Sequence, residues 1–170
     1  MNIKLLLAGD GGQGIQTISS LIARSAFDND FYVSQIPNFG LEQRGGVSLE
    51  FVQIADEPIT YPKFARPDIF LIMSEQARER TVHYYDLTRV QAGNLKVLDS
   101  KDFQADFEKN QIKSQSQNIF FLGVICKLLS DKKILSKDDM YGRLEKKLGQ
   151  KTGWEENAKS FTTGYNYINF

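Results

Sequence analysis

A chain of 170 residues, 41% hydrophobic and 25% charged, is long enough for one domain built on a single substantial core. Lys+Arg and Asp+Glu number 21 each, so no basic excess points to nucleic acid and no acidic tail to disorder. The sole cysteine, Cys126, excludes an internal disulfide and any zinc or iron–sulfur site made by this chain alone. The apolar start KLLLAG is too short for a signal peptide, and nothing approaches a membrane span, so the expected setting is the cytoplasm.

Residues 3–8 form a short apolar run ending at glycine, which predicts a buried strand. From Ile15, apolar residues recur at Ile18, Ile22 and Ala26, which is helical spacing. Residues 31–36 predict a second strand. Val47, Leu49 and Phe51 alternate with Ser48 and Glu50, which predicts a strand half open on one side. DIFLIM (68–73) follows the turn chemistry of Pro62 and Pro67 and reads as a buried strand. Ser74 then caps one polar helix, SEQARERTVHYYDL, and LKVL (95–98) predicts another strand.

Residues 118–129 are apolar almost all round, which predicts a helix covered on more than one side. Ser136 to Asp139 resembles a capping box for a helix with Met140, Leu144 and Leu148 on its face. Ala158, Phe161, Tyr165 and Ile168 share one stripe of a final helix. Residues 102–117 are compatible with a loop, a short helix or an edge strand near 111–113. Strands alternating with helices predict a single α/β domain over residues 1–170. Its three layers are a mostly parallel sheet with helices on both faces, and its C-terminal third is helical.

The densest glycine signal is GDGGQG. Gly9, Gly11 and Gly14 satisfy G-x-G-x-x-G between a strand and a helix. Glycine lets the backbone turn sharply and a phosphate approach main-chain N–H groups, and the helix start adds partial positive charge. A dinucleotide site also wants an acidic residue about 20 positions on, at the end of the second strand. Ser34 and Gln35 stand there instead, and Ile15 occupies the position where a P-loop carries lysine. NAD and ordinary nucleotide hydrolysis are therefore disfavoured; an anion site and a ligand-free tight turn both stay open. A second cluster, PNFGLEQRGG (37–46), carries Glu42 and Arg44 between Gly40 and the Gly45–Gly46 pair. With strands one and two ending on the same edge, the two glycine segments face each other. Taken alone, Glu42 and Arg44 read first as a surface ion pair on a polar loop.

Together, GDGGQGIQT, PNFGLEQRGG and PITYPKFARPDIFLIM resemble the gamma subunit of the 2-oxoacid:ferredoxin oxidoreductases, the pyruvate, 2-oxoglutarate, branched-chain oxoacid and indolepyruvate type. The matching positions are Gly9, Gly11, Gly12, Gln13, Gly14 and Thr17, then Pro37, Gly40, Glu42, Arg44, Gly45 and Gly46. Pro67–Asp68, Asn118 with Leu122 and Gly123, and Glu155 or Glu156 with Asn157 follow in order. Residues 101–117 depart from the family pattern.

The resemblance implies a complex that oxidatively decarboxylates a 2-oxoacid to an acyl-CoA and passes electrons to ferredoxin. It implies thiamine diphosphate, Mg and iron–sulfur clusters on alpha, beta and ferredoxin-like delta partners, with coenzyme A as substrate. This chain, with no nucleophile–base pair and one histidine (His83) on a polar helix, is expected to have no independent catalysis. The expected cofactor-binding residues are Gly9, Gly11, Gly12, Gln13, Gly14, Thr17, Glu42, Arg44 and Gly45. The chain reads as a separate polypeptide, able to self-associate through partner surfaces when isolated. The other two readings are a ligand-free scaffold and a stand-alone nucleotide-dependent oxidoreductase.

Overall fold

A computed structural model describes residues 1–39 and 46–167. Its strands are β1 (Asn2–Asp10), β2 (Tyr32–Phe39), β3 (Val47–Ala55), β4 (Ile69–Ile72) and β5 (Lys96–Asp99). The helices are α1 (Ile15–Asp28), α2 (Glu75–Thr81), α3 (Leu87–Gln91), α4 (Gln104–Asn110), α5 (Gln117–Ser130), α6 (Lys137–Leu148) and α7 (Trp154–Tyr165). Among the described residues the strands make one sheet in the order β2-β3-β1-β4-β5.

β1, β4 and β5 are parallel, whereas β3 runs antiparallel to both β1 and β2. The sheet is therefore mixed, and the mostly parallel expectation holds in part: β1, β2, β4 and β5 run one way and β3 alone runs against them. The cause is chain length: β2 ends at Phe39 and β3 begins at Val47, too short a link for a parallel crossover. Because both β1 and β2 oppose β3, they run the same way, and their carboxyl ends share a rim with the start of β3.

The three layers follow from strand alternation. Leu5, Leu7, Val52, Ile54, Ile69 and Leu71 face one large core with α1, α5, α6 and α7. Leu6, Ala8, Leu49, Phe51, Phe70 and Ile72 face a smaller one closed by Ala77, Tyr84 and Val90. With both faces covered, β3 is buried along nearly all its length, Glu50 and Gln53 included. The half-open strand expected there is thus corrected, since period-two polarity here marks buried polar side chains.

Ser74 caps α2, accepting from Ala77 N–H at 3.0 Å, but the single helix expected over 74–87 breaks. A 3-10 turn at Val82–Tyr84 intervenes, and Asp86 caps α3 by accepting from Arg89 N–H at 3.1 Å. Residues 102–117 resolve as the short-helix option. Phe103 and Phe107, one turn apart, are buried, and Gln111 closes α4 in the left-handed region with φ 55°.

The helical third is held by backbone contact. A Cβ on Gly123 of α5 would lie 2.2 Å from Phe161 O, and one on Gly164 of α7 would lie 2.0 Å from Phe120 O. Only glycines let these two helices approach so closely. Phe161 and Tyr165 pack on the core as the stripe requires, and Ile168 lies outside the described residues.

Candidate functional site

β1 delivers the chain to the rim at Asp10, and the following loop is set by side-chain braces. Gln13 Oε1 accepts from Asp10 N–H at 2.7 Å, while its Nε2 donates to Met73 O at 3.2 Å. Gly9 makes room for this brace, because a Cβ there would meet Gln13 Oε1 at 2.8 Å. Gly12 (φ 95°) and Gly14 (φ 73°) hold conformations that L side chains rarely adopt, and Gly14 is the N-cap of α1. Gln13 is thus spent on shaping the loop, and Thr17 sits half-buried in the first turn of α1, its N–H donating to Gly14 O at 3.0 Å.

Two loop amides are consumed: Gly11 N–H donates to Gly46 O at 3.1 Å, and Gln13 N–H to Asp10 O at 3.1 Å. Among the described residues the N–H groups of Gly12, Gly14, Ile15 and Gln16 find no acceptor, as the open start of a helix dictates. They lie where the dipole of the 14-residue α1 is positive and its first turn carries no acidic side chain. Gly11 and Gly12 are exposed, and open space surrounds Gly12.

The Gly11–Gly46 bond joins the two glycine segments at one rim. Glu42, Arg44 and Gly45 themselves, with Gly40, lie outside the described residues.

Two rim features escape sequence reasoning as site residues. Asn118, at the start of α5, lies against Gly14: a Cβ on that glycine would be 2.3 Å from Asn118 Nδ2. Its Oδ1 accepts from Ile119 N–H at 2.9 Å, which leaves the Nδ2 donors facing the cradle. The signal was present as the family's asparagine, but nothing local ties it to a loop a hundred residues earlier. Asp10 is the second. Ser74 Oγ donates to its Oδ1 at 2.7 Å, which turns this carboxyl toward α2.

Farther along the rim, Arg78 donates to both oxygens of Asp99 at 2.6 Å and also pairs with Glu75, so its charge is taken. Burial pushes the Asp99 carboxyl up, but the Arg78 guanidinium and the Lys101 amide outweigh it and hold Asp99 below the usual aspartate value. Cys126 is fully buried, and burial pushes its thiol up to about 11. His83 is exposed on the turn after α2. Among the described residues no group of three His, Cys, Asp or Glu side chains could hold a metal ion, and no helix is long and apolar enough to cross a membrane. What the rim presents at the start of α1 is a set of main-chain and amide donors.

Residues 4–167 match the family model described as pyruvate ferredoxin/flavodoxin oxidoreductase. The chain is 32% identical to the 2-oxoglutarate synthase subunit KorC of Methanocaldococcus jannaschii, over 97% of this chain and 93% of that one. Its fold is similar to the keto/oxoacid ferredoxin oxidoreductase gamma subunit from Geobacter sulfurreducens, with TM-score 0.68, 20% identity and 96% of each chain covered. It is also similar to the 2-oxoglutarate:ferredoxin oxidoreductase from Magnetococcus marinus, solved with 2-oxoglutarate, coenzyme A and succinyl-CoA bound. That match has TM-score 0.75 and 19% identity over 96% of this chain, which spans 30% of the longer one. The chain belongs to the pyruvate ferredoxin/flavodoxin oxidoreductase family.

Proposed function

We propose that this family member serves as the gamma subunit of a 2-oxoacid:ferredoxin oxidoreductase complex and contributes the phosphate contacts for coenzyme A. The complex oxidatively decarboxylates a 2-oxoacid to an acyl-CoA and passes the electrons to ferredoxin. Thiamine diphosphate, Mg and the iron–sulfur clusters sit on alpha, beta and delta partners, and the gamma chain has no catalysis of its own. The KorC relative and the coenzyme A in the Magnetococcus enzyme support this reading.

The observation that carries it is the set of N–H groups of Gly12, Gly14, Ile15 and Gln16, without an acceptor among the described residues, at the positive end of α1. These donors fit a diphosphate, because no side chain crowds Gly12 and a glycine backbone lets phosphate oxygens come within hydrogen-bond reach. Asn118 Nδ2 adds a side-chain donor. Gly9 and Gln13 fix the loop, Thr17 anchors the first helical turn, and Glu42, Arg44 and Gly45 close the neighbouring segment or meet a partner. Coenzyme A supplies the thiol that accepts the acyl group; this chain holds and orients its phosphates.

The test uses the complex assembled with its partner subunits. Gly12→Ala and Asn118→Ala should each raise the KM for coenzyme A about tenfold or more while kcat for the bound substrate holds. That is the scale of one lost charge-assisted hydrogen bond, about 1.5–3 kcal/mol. An unchanged KM in both variants, with assembly impaired, would favour the ligand-free scaffold. The internal use of the Gly11 and Gln13 amides is the observation on that side.

A further inference from the structure

The opposite end of the sheet holds a cavity that coenzyme A binding at the glycine loop does not explain. There β1 begins and β3 ends, and residues 56–67 fold back over both strand ends. Four contacts pin that segment. The Met1 ammonium donates to Asp56 Oδ1 at 2.6 Å, and Gln53, 2% exposed, donates through Nε2 to Tyr61 O at 2.7 Å. Phe64 packs edge-on against Phe51 with ring centroids 5.2 Å apart, and Arg89 donates to Pro67 O at 2.6 Å. The result is a cavity of about 640 Å³, which falls in the range of small-molecule sites.

Its charges are unbalanced. Lys4 reaches it from β1, and Lys63 and Arg66 reach it from the pinned segment. Among the described residues none of these three cations has a carboxylate partner or a side-chain hydrogen bond, in contrast to Arg78, Arg89 and Arg143. Lys4 is half-buried on β1. Of the two lining acids, Asp56 is taken by the N-terminal ammonium, which leaves only exposed Glu57. Tyr61 lines the same cavity, 75% exposed although its backbone carbonyl is held by Gln53. Three cations unpaired among the described residues and an aromatic face in one cavity suit a ligand with phosphates at one end and a planar base at the other.

We infer that this cavity binds a nucleoside phosphate, with Lys4, Lys63 and Arg66 on the phosphates and Tyr61 under the base. The site is separate from the glycine loop: β1 spans the distance between them, about 26 Å at roughly 3.3 Å per residue.

Calorimetric titration of the full chain with ADP, pyrophosphate and adenosine tests this, run in a Gly12→Ala background to remove the glycine loop's share. ADP should bind more tightly than pyrophosphate, and adenosine should not register. Lys63→Ala/Arg66→Ala, at two exposed positions, should weaken ADP at least tenfold with an unchanged melting temperature. Tyr61→Ala should bring ADP down to the level of pyrophosphate. ADP binding indifferent to the lysine–arginine pair, or no ADP binding at millimolar concentration, overturns the proposal. Pyrophosphate binding as tightly as ADP overturns the nucleotide assignment. ADP binding that vanishes with Gly12→Ala alone and survives Lys63→Ala/Arg66→Ala removes this site and leaves the coenzyme A reading standing.

Discussion

Gly123→Ala puts the α5–α7 contact to a quantitative test. The new Cβ would sit 2.2 Å from Phe161 O, 2.7 Å from Tyr165 N and 3.1 Å from Gly164 C. The first contact is more than about 1 Å short of ordinary van der Waals separation. All three atoms are backbone, so no side chain can rotate away and α7 must shift as a body. Overpacking of this kind costs about 1–3 kcal/mol, and the rigid neighbour places Gly123 at or above the top of that range. Alanine returns about 1 kcal/mol of helix propensity. The net loss is therefore about 2 kcal/mol, read as a fall of about 1 M in the urea midpoint for a slope of about 2 kcal/mol/M. Gly142, within α6, has nothing within 4 Å of its would-be Cβ and supplies the control. Gly142→Ala should raise stability by about 0.5–1 kcal/mol. If both substitutions stabilise alike, the two helices do not touch through their backbones and the packing account fails.

Four further outcomes follow from charges and burial. Arg78→Met strands Asp99, whose side chain is 5% exposed, and should cost about 3 kcal/mol by chemical denaturation. Asp99 has a depressed folded pKa, so its contribution is complete above the ordinary aspartate value of about 4 and disappears as pH falls through the lower folded value. Asp99→Asn should flatten that acid limb, and an unchanged slope would deny the pairing. Cys126, with its thiol near 11, should resist iodoacetamide at pH 8 in the native chain and react once urea unfolds it; fast native labelling would contradict the burial. Glu50 is fully buried, with Oε2 accepting from Gln35 at 3.0 Å and Oε1 without a donor among the described residues. Glu50→Gln should raise stability by about 1 kcal/mol, and a clear loss would reveal a donor serving that oxygen.

The order of elements could be read from local patterns because local chemistry decides it. The apolar run before Gly9, the spacing from Ile15 and the caps at Ser74 and Ser136 each act within a few residues. The reversal of β3 was also written in the short link from Phe39 to Val47, but alternation with helices suggested a crossover rule that this link cannot satisfy. The break before Asp86 went unseen because the polar run around it keeps helical composition throughout. At the rim, the glycine positions were legible from their spacing, whereas Gln13 as a brace and Asn118 as a neighbour of Gly14 depend on tertiary contacts. Glu50 showed only as the polar half of an alternating strand. Its burial depends on α1, which places Ser19 and Ser20 beside Gln35, the residue that donates to it.

The clasp made by Gln13 between the end of β1 and the end of β4 also bears on kinetics. A loop already fastened at both sides has little motional freedom left to surrender when something docks on it. Arrival at the rim should then proceed in a single concentration-dependent step without a slow rearrangement behind it. Cutting the clasp with Gln13→Ala would introduce that lag before it removed the affinity.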